Sequence, residues 1–275
     1  MSALALQRVV VRMLFDEHLV DRVYADPAGA LPEVDLTDAE RAWLVQPDKR
    51  RWRADPLRRY RALQALLEEY PVAGALVIRE AGGVQALDAY FSDPAFHRCI
   101  QDRGVLALSF GRWLAADFTV DVAAAARVEL ALARVRRAAE PGALPPLDAQ
   151  GTVHTAPWID AFVTTQAGLQ RYLACRPVLA QGGTALVLDG QQPLPPQPAV
   201  TGTATVLVER SAQGAAVEES PAALVQLLRW CQSPRTVAAT VEWLAGHDLD
   251  PAEARELLGD LANDGLLLAG GAPTP

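Results

Sequence analysis

The chain has 275 residues, an apolar fraction of 51%, and 33 acidic side chains against 25 basic ones. That length suits two domains, and that much apolar character excludes disorder over most of the chain. A net charge of −8 argues against a general nucleic-acid binder, which neutralises phosphates with an excess of Lys and Arg. Apolar runs fall short of a bilayer span, so no membrane helix is predicted. Arg8, Arg12, Asp16 and Glu17 break up the N-terminal apolar pattern, so no export signal is predicted and the cytoplasm is the expected location. Cys99, Cys175 and Cys231 are far apart and in no CxxC spacing, which predicts neither a disulfide framework nor a structural zinc site.

The chain as far as Glu140 reads as helices. Val11, Leu14, Phe15, His18 and Leu19 follow the spacing of one buried helical face. Thr37 stands three residues before Glu40, a pair able to cap a first turn reciprocally, with Trp43 and Leu44 following on the apolar side. Asp55-Pro56, Asp93-Pro94, Ser220-Pro221, Ser233-Pro234 and Asp250-Pro251 each read as a helix start, with an oxygen for an orphan N–H and a proline where none is needed. The helix after Asp55 is predicted to stop near Pro71, and a long helix to run from Val120 to Glu140 and end at Pro141-Gly142.

Residues 141–150 read as a loop, Val153–Thr165 as one or two strands, and Leu169–Cys175 as a short helix. Gly182-Gly183 reads as a turn into a strand over Ala185–Leu188. Four prolines between Gln191 and Pro198 predict a stiff, extended linker and a domain boundary.

From Thr201 onward the chain reads as a β-hairpin and three helices. Ala204–Glu209 and Ala215–Glu218 form the hairpin around a turn at Gln213-Gly214. The helices carry Leu224, Leu227, Leu228 and Cys231, then Val237, Val241 and Leu244, then Leu257, Leu258 and Leu261, with Leu266–Leu268 as a closing strand. The predicted class is therefore α+β: an all-helical domain over 1–150, a strand-containing connector and Pro-rich linker over 151–200, and a winged-helix domain over 201–275. Such a domain binds DNA or captures an extended peptide on its hairpin edge. Residues 201–275 carry four arginines, no lysine and ten acids, a local net charge of −6, which favours the peptide over DNA. A winged-helix DNA-binding transcriptional regulator is the alternative.

Two resemblances follow. The hairpin, then Ser220-Pro221-Ala222-Ala223-Leu224, Arg235–Ala245 (RTVAATVEWLA) and Asp264–Leu268 (DGLLL), resembles the PqqD-like leader-recognition elements of ribosomal-peptide (RiPP) maturation, from the hairpin to the closing strand. Leu36–Leu44 (LTDAERAWL), Trp52–Arg59 (WRADPLRR) and Leu66–Pro71 (LLEEYP) are similar to the helical partner subunits of multinuclear non-heme iron oxidases, such as those of methanobactin and 3-thiaglutamate biosynthesis. The resemblance implies a non-catalytic subunit of a heterodimer. It would bind the leader of a precursor peptide and present the peptide's cysteine to a TIM-barrel oxidase, with the iron on that enzyme and no cofactor on this chain. It supplies no catalytic residue to carry over.

The residues themselves assemble no GxSxG, P-loop or helix-opening GxGxxG, and no histidine pair at metal-ligand spacing. His18 reads as packed on an apolar face, and His97 and Cys99, two apart, fall on different helix faces. For leader binding the candidates are Val206, Val208 and Glu209 on the hairpin strand, and Glu253, Arg255 and Leu257 on the third helix. Lys49-Arg50-Arg51-Trp52-Arg53 with Arg58, Arg59 and Arg61 places seven basic residues in thirteen positions beside one acid, Asp55. Within it Arg51, Trp52, Arg53, Arg58 and Arg61 are the candidates for a partner-enzyme interface, with Trp52 as the aromatic anchor.

Overall fold

The computed structural model describes residues 3–53, 55, 57–139, 142, 144, 146–181, 183–190, 193–211 and 214–270. The protein is mixed α+β, with two small three-stranded antiparallel sheets. The chain divides into two compact units, Met1–Leu130 with Ala167–Ala199, and Ala131–Gln166 with Val200–Pro275. Residues 151–166 thus belong to one unit and 167–199 to the other. No helix among the described residues is long and apolar enough to cross a membrane.

The first unit is helical: α1 (Ala3–Phe15), α2 (Glu17–Ala25), α3 (Asp38–Leu44), α4 (Arg58–Leu67), α5 (Pro71–Glu80), α6 (Gln85–Asp88), α7 (Pro94–Gln101), α8 (Leu106–Asp117) and α9 (Val120–Arg137), whose last turns fall in the second unit, with α10 (Gln166–Ala180) and α11 (Gly183–Asp189) added later in the chain. Thr37 and Glu40 make the predicted reciprocal cap: the Thr37 hydroxyl accepts from the Glu40 N–H at 3.3 Å, and the Glu40 carboxylate from the Thr37 N–H at 2.8 Å. Asp93 caps α7 through the Ala95 N–H at 2.6 Å. Asp55 accepts from the Leu57 N–H at 3.1 Å, just ahead of α4, while Pro56 lies outside the described residues.

Two local expectations are corrected and two are refined. The continuous apolar face through His18 breaks at Asp16, which accepts from the His18 N–H and opens a new helix, so His18 is exposed and Val9, Met13, Leu19 and Val20 are the buried set. The helix after Asp55 stops near Pro71 as expected, at Leu67, but Pro71 itself opens a new helix, in the first turn of α5, where its missing N–H is harmless. Ala185–Leu188 is helical, because the unit it packs in offers no strand among its described residues, and short apolar runs do not fix their own periodicity. The Pro-rich stretch has no regular structure over 193–199, and the two units divide just after it, at Ala199, but it is tied down within its unit: the Gln197 amide donates to Asp121 at 3.1 Å, and Asp121 also pairs with Arg171. Glu140, Pro141, Gly182, Gln191, Gln192 and Gln213 lie outside the described residues.

Helix α5 is the centre of this unit. Val72 through Ile78 are all buried. The residue before the helix, Tyr70 at the N-cap position, supplies no side-chain cap. Glu129 of α9 does so instead, its two carboxylate oxygens accepting from the Val72 and Ala73 N–H groups at 2.8 and 3.0 Å. A carboxylate there matches the positive end of the helix dipole and satisfies donors that no water reaches.

In the second unit β1 (Thr152–Thr155) is flanked by β5 (Arg235–Thr236) and β6 (Leu267–Ala269). A second sheet has the order β2 (Ile159–Thr165), β3 (Thr203–Ser211), β4 (Gly214–Glu219). Helices α12 (Ala222–Trp230), α13 (Val237–Ala245) and α14 (Pro251–Asn263) follow the hairpin and close a core around Leu207, Val225, Leu228, Val241, Leu258 and Leu267. Asp250 caps α14 as expected, through the Ala252 N–H at 2.7 Å. Two starts differ. Ser220 continues the sheet, its N–H bonded to the Thr205 carbonyl at 2.9 Å. The helix expected at Ser233-Pro234 begins at Val237, because Arg235 and Thr236 pair with β1; Thr236 then caps it through the Ala239 N–H at 3.1 Å.

Glu129→Gln keeps the side chain's length and puts an amide donor against backbone N–H groups. The expected loss is about 1–3 kcal/mol of unfolding free energy, read as a lower midpoint in urea with an unchanged slope.

Candidate functional site

Strand β3 is the middle of its sheet. Val206 pairs with Phe162 on one side and Glu219 on the other, Val208 with Asp160 and Val217, and Glu209 with Ile159 and Ala216. Antiparallel neighbours alternate between bonded and non-bonded pairs. The Arg210 N–H to Trp158 carbonyl bond and the Gln166 N–H to Gly202 carbonyl bond fix the even β3 residues as those bonded to β2. The Ser220 N–H to Thr205 carbonyl bond fixes the odd ones as bonded to β4. The backbones of Val206, Val208 and Glu209 are therefore committed within the sheet. Val206 and Val208 are also fully buried, on the face opposite Leu207. No visiting strand can pair at these residues, and the hairpin's pairing edge lies on β4.

The same alternation turns the N–H and C=O groups of Ala215, Val217 and Glu219 away from β3. Among the described residues these groups have no hydrogen-bond partner. Ala215, Ala216 and Val217 are half-buried, Glu218 and Glu219 exposed. Glu218 lies opposite Leu207 and Glu209 opposite Ala216, so Glu209 and Glu218 are diagonal neighbours on one face. The far edge of the sheet is less open: on β2 the Ile159 N–H is taken by the Ala156 carbonyl at 2.9 Å, and the Gln232 amide reaches the Ala161 carbonyl at 3.5 Å.

On α14 Glu253 and Arg255 are exposed, Arg255 donating to the Pro251 carbonyl at 3.1 Å, and Leu257 is half-buried against the core. The helix packs principally on α13 and β6, whereas β4 packs on β3. The principal packings thus leave the two predicted halves of the groove on separate neighbours. Sequence reasoning missed Ala215 and Val217. Their signal was the run Val153–Thr165, whose second strand takes the place beside β3.

The basic run lies at the surface around a buried tryptophan, and most of its cations are engaged by their own unit. Trp52 is buried, and its indole N–H donates to the Tyr24 hydroxyl at 3.0 Å, so it is a core residue of the first unit and not an exposed anchor. Arg53 pairs with Glu17 at 3.2 Å, Lys49 with Asp21 at 2.7 Å, and Arg61 with Asp55. Arg58 donates to the Leu14 carbonyl at 2.7 Å, and Arg59 holds Asp88 at 2.7 Å. Lys49, Arg50, Arg51, Arg53 and Arg61 are all exposed, and Arg50 and Arg51 carry no ion pair among the described residues.

His97 and Cys99 are not brought together. Arg12 donates through Nε to His97 Nδ1 at 3.2 Å, which leaves the ring hydrogen on Nε2 to donate to Asp16 at 2.9 Å. Cys99 faces the other way, and burial pushes its thiol up. Burial also raises the thiols of Cys175 and Cys231, the latter to about 11, which lowers the thiolate share of all three at neutral pH. Among the described residues no group of three or more His, Cys, Asp or Glu is placed to hold a metal ion.

Comparison of the chain with models of known protein families and with curated proteins finds no match.

Two measurements check this arrangement. Trp52→Ala should act on folding, lowering stability by about 3 kcal/mol or more in a thermal or denaturant melt. For Asp16, burial works to raise the carboxyl pKa, but the hydrogen bonds from His97, the Leu19 N–H and the Ser92 hydroxyl outweigh it, and the net shift is downward. A carboxyl held below its unfolded value stabilises the fold above that value and loses the effect as pH falls through the lowered one. Asp16→Asn preserves capping ability and removes the charge. The gap in stability between wild type and Asp16→Asn should be full at neutral pH and close below about pH 4; a gap that widens on acidification would refute the charge role.

Proposed function

We propose that this chain is a non-catalytic, peptide-presenting subunit: its second unit takes the leader of a ribosomally made precursor as an added strand on β4, and a separate iron-dependent oxidase modifies the peptide's cysteine. The observation that carries the reading is the open outer edge of β4, three residues whose paired-strand groups point outward. An extended peptide satisfies such groups at once, and side chains along the edge select among peptides. The hairpin-and-three-helix order supports a winged-helix architecture of the leader-recognition kind. The three raised thiols are in keeping with chemistry performed on another polypeptide. The oxidase, a TIM-barrel protein in this reading, carries the iron, and the helical unit is the part that would meet it.

Charge supports a peptide over DNA. Glu209, Glu218 and Glu219 surround the β4 edge and suit a leader with basic residues in that register. The arginines of this region are turned to other tasks. Arg210 donates to the Ala138 carbonyl at 2.9 Å, and Arg235 lies 4.3 Å from the centre of the Trp230 ring. With Arg255 on Pro251, three of the four arginines of residues 201–275 thus contact the chain itself.

Val217→Pro tests the edge directly. The Val217 N–H points outward, so proline removes no ladder bond and is compatible with an edge strand. A fluorescently labelled precursor peptide, from a short cysteine-bearing reading frame beside the gene, should lose at least tenfold in affinity for the variant while its circular dichroism matches wild type. In a reconstituted reaction, the neighbouring oxidase should modify the cysteine only when this chain is added. Complete modification without it would refute the assignment.

A further inference from the structure

The groove between α7 and α8, within the first unit, plays no part in the proposed peptide role. Its walls repeat one spacing: positions 95, 98, 99 and 102 on one side, and 105, 108, 109 and 112 on the other. That is the spacing of a single helical face, presented twice toward one cleft of about 470 Å³. Small-molecule sites run from roughly 300 to 1,000 Å³ and pair an apolar lining with few polar groups.

Ala95, Val105 and Leu108 give the cleft its apolar side, and Val105, at 45% exposure, is the most open of the three. Arg98 and Arg112 stand on opposite walls, both exposed. Among the described residues neither guanidinium has an ion pair or hydrogen bond. Elsewhere in the unit Arg12, Arg53, Arg59, Arg61 and Arg171 are each held by a carboxylate, whereas Arg98 and Arg112 are free and face one cleft. Asp102 is the one acid on the walls and is bound by neither arginine. Cys99 completes the wall beside Ser109, whose hydroxyl donates to the Ala95 carbonyl at 3.2 Å and ties the helices together beneath the cleft.

We propose that this cleft binds an organic anion, its apolar body against Ala95, Val105 and Leu108 and its carboxylate or phosphate held by Arg98 and Arg112. Two unpaired guanidiniums over an apolar surface match such an amphiphile, because each supplies several donors in a planar fork suited to carboxylate or phosphate oxygens. A neutral amphiphile would leave both guanidiniums without a partner, and an inorganic anion would leave the apolar side uncovered. Binding would also sit beside the Cys99 thiol, which at 7% exposure is the most accessible of the three cysteines; Cys175 and Cys231 are at 0%.

The probes are octanoate, octyl phosphate and octanol, titrated into the full chain by calorimetry. One equivalent of octanoate or octyl phosphate should bind, and the tighter of the two assigns the head group. Octanol should bind at least tenfold more weakly. Arg98→Gln and Arg112→Gln are surface changes that leave the core untouched, and each should weaken the anion tenfold or more. The bound anion should slow N-ethylmaleimide labelling of Cys99 severalfold, followed by peptide mass spectrometry, while octanol should not. The proposal is overturned by an absence of saturable binding of either anion, by affinity unchanged in the double arginine variant, or by binding that leaves Cys99 labelling unaltered.

Discussion

Strand β3 is bonded on both sides, and that double pairing decides what the second unit can do. A hairpin alone would offer an edge on each strand. With β2 laid against β3 over seven register pairs, one of those edges disappears and β4 alone keeps outward-facing groups. The constraint also explains why Val206 and Val208 are inert to visitors. Their backbone groups are bonded to β2, β4 closes the other side of the strand, and their side chains are enclosed. The edge left open is a strand of small and acidic residues, Ala215, Val217, Glu218 and Glu219, and the proposed peptide would meet those side chains.

The local signals in the sequence were legible where they were short-range. Thr37 with Glu40, Asp93 before Pro94 and Asp250 before Pro251 all start helices as their chemistry requires, since a cap is made by residues two or three apart. The hairpin and the three helices after it were legible for the same reason. Illegible were features decided by distant partners. The Val153–Thr165 stretch reads as strand, yet nothing in its own residues says that its second half will pair with β3. Ala185–Leu188 reads as a strand and is helical because its neighbours are. Arg235 and Thr236 look like a helix entrance until β1 claims them.

Charge misleads in an instructive way. A dense basic run in an acidic protein suggests a surface for a partner, but Lys49, Arg53, Arg58, Arg59 and Arg61 fasten the chain to Asp21, Glu17, Leu14, Asp88 and Asp55. Such pairs at half-exposed positions are worth little individually; their role here is to orient the segment that carries Trp52 into the core. Arg98 and Arg112, unpartnered and facing one cleft, lie outside the run, and no clustering in the sequence would have singled them out. Density of charge along a chain and availability of charge in space are different quantities.

The order in which the two units are assembled from the chain has a bearing on biosynthesis. The helical unit is interrupted after Leu130 and resumes only at Ala167, and the other unit is interrupted over that same return. A ribosome delivers residues from the N-terminus. Neither unit has all of its polypeptide when Gln150 has emerged, and α5 has no carboxylate at its start until Glu129 leaves the exit tunnel. The nascent helices must wait, with apolar faces uncovered, for segments translated later. A cut at the proline-rich stretch would therefore separate the hairpin from β2 and strip from its core the strand that defines which edge is open.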